Sequence, residues 1–150
     1  MGFDPDITAQ ERDWYRDRLV VGVDDDNADL AARAAEIKAY MDKSRVPEGL
    51  LVSPTHFRVY RNMYGRPPDA VTEVADFPTE RVMGRLPSQT QGPEFEDFVQ
   101  RWLERLQAGF LNGNVALPPD VCEIVEREIM PQLYVGEIGA TGPRWSPATP

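Results

Sequence analysis

A chain of 150 residues with 41% hydrophobic side chains is long enough for one domain with a real core and too apolar for wholesale disorder. One cysteine, Cys122, and one histidine, His56, exclude an internal disulfide framework and any multi-thiolate or poly-histidine metal site within the chain. A net charge of −9 argues against non-specific nucleic-acid binding, which needs clustered Lys and Arg to neutralise phosphates.

No apolar run approaches the roughly 20 residues that cross a bilayer. The acidic start Met1-Gly2-Phe3-Asp4-Pro5-Asp6 has neither an apolar signal core nor the Ser or Thr of a myristoylation signal. The expected location is the cytoplasm, or a virion if the chain is viral. Charge is uneven: residues 46–92 hold 5 acids and 5 bases, against 11 and 7 before them and 9 and 4 after them. From Pro54 to Arg66 the neutral middle holds Arg58, Arg61 and Arg66 with no acid at all.

In chain order, Thr8 and Glu11 have the spacing of a capping box, which predicts a first helix from Thr8 to about Val20 with Trp14, Tyr15 and Leu19 near one face and Gly22 as its stop. Asp24 to Asn27 is a good cap run before a second helix over Ala28–Lys43. There Leu30, Ala34, Ile37 and Met41 form a helical stripe, and Lys38 and Lys43 suit the dipole at its end. Pro47-Glu48-Gly49 breaks the chain. Leu50-Leu51-Val52 reads as a short buried strand or an extended link. Ser53-Pro54 resembles an N-cap followed by proline at the first helical position, so a helix is expected from Pro54 to about Tyr64, closed by Gly65. The alternation of Phe57 and Val59 with His56, Arg58 and Tyr60 supports a strand as the competing reading.

Residues 66–93 carry five prolines and two glycines, leaving room only for short strands such as Val71–Val74 and Arg81–Val82. An amphipathic helix follows from Glu94 to about Ala108, with Phe95, Phe98, Val99, Trp102 and Leu106 on its apolar face. A last helix runs from Pro118-Pro119-Asp120 to about Met130 and is ended by Pro131. The expected fold class is mainly α: about five helices in a single domain over residues 1–131, an irregular Pro-rich segment at 66–93, and an extended Gly/Pro-rich tail over 132–150.

The chemistry-bearing motifs have plain structural explanations. Asp25, Asn27, Asp29 and Glu36 match four positions of a calcium loop, but Leu30 stands where the loop needs glycine and the following residues read as helix; capping explains the run better. His56 beside Ser53 and Thr55 is not a triad, because nucleophile, base and orienting acid are defined in space. Cys122 lies in a helical apolar pattern and reads as a small buried residue. Glycine-rich phosphate loops are absent from the sequence. No catalytic residue, metal ligand or cofactor is therefore assigned.

Two segments point to function. Phe57, Arg58, Tyr60, Arg61, Tyr64 and Arg66 interleave aromatics with arginines, the residue types enriched at protein–protein hot spots. The tail carries Leu133, Tyr134, Val135, Ile138 and Trp145, large apolar groups that a disordered tail ordinarily lacks. The six residues of the first stretch, together with Leu133, Tyr134 and Trp145, are the expected interface of a non-catalytic interaction or assembly protein. It would be a small subunit of a larger complex, either a virion or phage-particle component or an accessory subunit of a cytoplasmic enzyme complex, that uses its Pro-rich 66–93 segment and its tail to contact other protein chains. Two readings compete with this one. The first is a small enzyme or ligand-binding protein with a pocket around His56. The second is an RNA-associated protein using the Arg/Tyr stretch 57–66, which the acidic charge disfavours.

Overall fold

Leu19, Val20 and Val21 are all buried, so both faces of this segment are covered, the pattern of a central strand rather than of an amphipathic helix. In the computed structural model, which describes residues 3–11, 16–25, 29–66, 70–90, 92–112 and 117–140, they form strand β2 (Asp17–Val23). The other strands are β1 (Ile7–Glu11), β3 (Glu48–Val52), β4 (His56–Asn62), β5 (Val71–Pro78) and β6 (Gly136–Ala140). The helices are α1 (Leu30–Ser44), α2 (Thr79–Met83), α3 (Gly92–Asn112), α4 (Pro119–Ile124) and α5 (Met130–Val135), with a π turn (Val125–Ile129) joining the last two.

The strands make one sheet in the order β5-β4-β3-β2-β1-β6. β2 and β3 run parallel, with α1 between them in sequence, and the remaining neighbours are antiparallel. Period-two alternation sorts side chains to two faces. Ile7, Ala9, Leu19, Val21, Leu50, Val52, Phe57 and Val59 pack with α2, α3 and the C-terminal helices. Val20, Leu51, Tyr60 and Val71 pack with Ile37 and Met41 of α1 and with Phe3. The result is three layers, helix on both faces of a mixed sheet. Gly49 lets α1 come close, since a Cβ there would lie 2.5 Å from the Met41 sulfur.

The expected mainly α domain is thus corrected to a mixed α/β fold. The predicted first helix is the pair β1 and β2, whose antiparallel register joins Ile7 to Val21 and Ala9 to Leu19; Trp14 and Tyr15 lie outside the described residues. The capping-box spacing of Thr8 and Glu11 falls on a strand, where β-branched burial outweighs it. The predicted helix at 54–64 is β4. Ser53 does act as a local cap, but of a turn, its Oγ accepting from the backbone N–H of Thr55 (3.4 Å) and His56 (3.1 Å). The alternation of Phe57 and Val59 then decides for the strand. β5 and α2 fill much of the segment expected to be irregular.

The second helix stands as α1, N-capped by Asp29, whose carboxylate accepts from Ala32 N at 3.1 Å. The Glu94–Ala108 helix lies within α3. Pro131 does not end the last helix. Proline lacks the N–H and crowds the carbonyl four residues back, and the π turn just before it resets the hydrogen-bond ladder so that α5 continues to Val135. Residues 136–140, expected within the extended tail, pair as β6 along the whole of β1.

Candidate functional site

β1 and β4 end, and β2, β3, β5 and β6 begin, at one end of the sheet. Four large hydrophobic side chains stand exposed there: Met63 (57%) and Tyr64 (47%) just past β4, and Tyr134 (58%) and Val135 (53%) just before β6. β4 and β6 are four strand spacings apart in the sheet, roughly 19 Å, and the starts of β2 and β3 lie between them.

A cavity of about 220 Å³ opens at this end, lined by Arg16, Asp17, Arg18, Arg45, Pro47 and Tyr64. Its walls are held by the buried side chain of Asn62 at the end of β4. The Asn62 amide donates to the carbonyls of Met41 and Val46 (both 3.1 Å), and its Oδ1 accepts from Tyr64 N (2.8 Å). One side chain thereby joins the turn that ends α1 to the turn that leaves β4. Both turns contain a non-glycine residue in the left-handed region, Arg45 (φ 58°) and Tyr64 (φ 55°), a conformation that costs roughly 1–2 kcal/mol per residue. The two meet, the Arg45 guanidinium lying 4.9 Å from the centre of the Tyr64 ring. Arg18 donates to Gln132 (3.0 Å) and Glu11 (3.2 Å). Asp17 accepts from Gln10 (2.8 Å) and Tyr40 (3.3 Å).

Beneath this surface is a buried ionic cluster. Glu48 and Arg61 are cross-strand partners at the start of β3 and end of β4, and Glu128 of the π turn faces them. Arg61 donates to Glu128 through Nε (2.8 Å) and Nη2, and Arg127 Nε donates to the same carboxylate at 2.8 Å. Glu128 is 2% exposed and Glu48 5% exposed. Burial and the neighbouring Glu128 push the Glu48 carboxyl far above its ordinary range, so it keeps its proton; the hydrogen bonds from Arg61 and Arg127, opposing burial, hold Glu128 below that range. The cluster ties the sheet to the C-terminal helices, and neither carboxyl lines the cavity above.

The opposite end of the sheet has the other sign. A second cavity of about 220 Å³ is lined by Val23, Asp24, Asp25, Thr90, Gly92, Phe95 and Glu96. Arg33 Nε bridges both oxygens of Asp24 (3.2 and 2.9 Å), and its Nη1 reaches Glu36 (2.9 Å). Asp6 accepts from Val23 N at 2.7 Å. Its carboxyl is raised to about 6, first by burial and then by the charges of Glu96 and Asp24, against that hydrogen bond.

The structure divides the expected interface residues. Phe57, Tyr60 and Leu133 are core residues at or below 1% exposed, out of a partner's reach, because each falls on the inward register of its strand or helix. Arg61 is bound into the Glu128 cluster. Arg58 lies 3.3 Å from Asp76 in an ion pair too poorly aligned for a hydrogen bond. Tyr64, Arg66 and Tyr134 are exposed; Trp145 lies outside the described residues. Val135 is one of the apolar tail residues marked by the sequence, whereas Met63, Arg16 and Arg45 are not marked by it.

His56 pairs with Asp76 at 3.1 Å on the sheet face that carries Arg58 and lines neither cavity. Cys122 stands in the helix layer on the other side, half-buried, its thiol 3.5 Å from Glu126; the two are not brought together. Of the calcium-loop residues, Asp29 caps α1, Glu36 pairs with Arg33, and Asn27 lies outside the described residues. Among the described residues no helix is long and apolar enough to cross a membrane, and no group of three potential metal ligands converges. No protein-family model, curated protein or solved structure significantly matches this chain. The geometry alone carries the functional reading.

Proposed function

We propose that this protein is a non-catalytic interaction or assembly protein, a small subunit that docks other protein chains through the end of the sheet bearing Met63, Tyr64, Tyr134 and Val135. The observation that carries the reading is the gathering of these exposed apolar side chains at one end, interleaved with arginines, the composition of a protein contact rather than of a solvated rim. Cytoplasmic complexes and virus particles both offer such partners. A pocket around His56 is not favoured, since His56 and Asp76 satisfy each other on an open sheet face. RNA binding through residues 57–66 is opposed by the acids that neutralise Arg58 and Arg61.

The test compares the full chain with a Met63→Lys/Tyr134→Lys variant. Both positions are more than half exposed, so the fold is expected to survive, checked by circular dichroism. Sedimentation reads self-association, and affinity capture with mass spectrometry reads other partners. The reading predicts that the double variant loses the assembly or the captured proteins seen with the natural chain. An identical sedimentation profile and identical captured set for both chains would overturn it.

A further inference from the structure

The arginine-lined cavity has properties that docking through apolar side chains does not use. Its lining holds three arginines against one aspartate in a chain of net charge −9. Asp17 is already engaged by Gln10 and Tyr40. Arg18 is held in place by Gln132 and Glu11, and no acid among the described residues pairs with Arg16 or Arg45. Arg45 and Tyr64 keep left-handed backbones where glycine would be easier, although Gly65 is the next residue. Strain of this kind persists where the surroundings over-determine it and gathers at ligand sites. Here a single buried side chain, Asn62, fixes both turns, so the backbones that carry Arg45 and Tyr64 are set before any ligand arrives.

From this arrangement we infer that the cavity binds a phosphate monoester, with Arg16, Arg18 and Arg45 around the phosphate and the Tyr64 ring beside the group that carries it. Guanidinium forks match phosphate oxygens with paired hydrogen bonds, and the three arginines exceed by one positive charge the two carboxylates beside them, Asp17 in the lining and Glu11 paired with Arg18. At about 220 Å³ the cavity is smaller than the roughly 300–1,000 Å³ that encloses a drug-sized molecule. It therefore takes the head of a ligand, with the remainder lying against the exposed Tyr64. The phosphate can come from a free metabolite or from a phosphorylated side chain of a partner; the chemistry recognised is the same.

The experiment titrates the ¹⁵N-labelled full chain with phenyl phosphate, inorganic phosphate and benzoate. The expected result is saturable movement of the Arg45, Val46, Tyr64 and Gly65 amide signals with phenyl phosphate, reversed by competition with inorganic phosphate and much weaker with benzoate. Arg16→Glu and Arg45→Glu each lower phenyl phosphate affinity about tenfold or more, the effect of losing one charge-assisted contact. Tyr64→Gly suits the positive φ, so the turn is retained; it abolishes the preference for phenyl phosphate over inorganic phosphate while leaving the latter's binding in place. A tyrosine-phosphorylated peptide binding more tightly than phenyl phosphate assigns the phosphate to a modified partner, and a mononucleotide doing so assigns it to a metabolite; both uphold the site. Unchanged affinity in both arginine variants, equal binding of benzoate, or signal movement confined to other residues overturns it. Met63→Ser/Tyr134→Ser removes the exposed apolar groups without adding charge and leaves phenyl phosphate binding unchanged, so failure of the docking surface and failure of this site are separately visible.

Discussion

The two ends of the sheet are built from the same strands yet do opposite things with charge. At the end where β2 and β3 finish, Asp24, Asp25 and Glu96 line one cavity with Asp6 within reach of their charge, answered by Arg33. At the end where these strands begin, three arginines and Asp17 surround the other cavity, and the carboxyl groups of Glu48 and Glu128 are buried beneath it. In open α/β sheets ligands usually bind beyond the carboxyl ends of parallel strands. In this molecule that end repels anions, and the cationic cavity lies at the opposite end. Topology alone would have pointed to the wrong end for an anionic ligand.

The largest expected effect comes from removing the charge buried at the cationic end. Glu128→Ala takes away the acceptor shared by Arg61, Arg127 and Glu48. Breaking a buried pair typically costs about 3–5 kcal/mol; the low end applies because both arginines keep access to water. Urea unfolding should show a loss of about 3 kcal/mol, and a loss under about 1 kcal/mol would mean that the cluster does not tie helices to sheet.

The acidic end predicts the opposite sign. Asp6 has a folded-state value of about 6 against an ordinary 3.8, so the folded chain binds more protons than the unfolded chain between those pH values. Stability from this group is present below pH 3.8 and is lost as pH rises to about 6. Asp6→Asn keeps an acceptor for Val23 N and removes the charge. It should stabilise the protein at pH 7 by up to about 3 kcal/mol, at 1.36 kcal/mol per unit, and leave it unchanged below the ordinary value. Melting curves at both pH values check this; a destabilised variant at pH 7 would show that the carboxylate's charge is needed there.

Glu48→Gln separates the ends further, since both contain a carboxyl raised by burial but only Glu48 has a carboxylate as its partner. A glutamine amide can donate to Glu128 as the protonated carboxyl does. The wild-type contribution is complete below the ordinary carboxyl range and is lost as pH rises above it, because the unfolded chain ionises while the buried group keeps its proton. The variant should be near neutral in mild acid and more stable than wild type in mild base, read from unfolding midpoints across that range. A variant less stable in base than in acid, relative to wild type, would contradict the protonated assignment.

What was legible beforehand follows the range of the interactions. α1 and α3 are recorded locally, in the Leu30/Ile37/Met41 stripe and the Phe95–Leu106 face, and both formed. β1 and β2 were misread because a capping-box spacing is a local signal, whereas the pairing of Ile7 with Val21 depends on residues 14 positions apart. β4 carried two conflicting local signals, Ser53-Pro54 and the Phe57/Val59 alternation; burial of both hydrophobes on one face decides between them. The same logic divides the site. Tyr64 and Tyr134 stood out as aromatics in polar surroundings. Arg16 and Arg45 did not, since nothing in the sequence announces that α1's last turn and the start of β2 meet.

The smallest expected stability effect bears most directly on the cationic end. Tyr64→Gly relieves a left-handed backbone worth roughly 1–2 kcal/mol, but it adds unfolded-state freedom worth about 0.5–1 kcal/mol. It also gives up an exposed contact with Arg45 of about 0.5–1 kcal/mol. These contributions nearly cancel, so thermal unfolding should move by no more than about 0.5 kcal/mol. A loss well beyond that would mean that the ring packs for stability and would remove the reason to regard its strain as held for binding. A neutral result leaves Tyr64 as a residue whose strained placement the fold tolerates without benefit to itself, in contrast to Arg33 at the other end, which ties α1 to Asp24 at the β2 exit and to the Phe3 ring while pairing with Glu36 of its own helix.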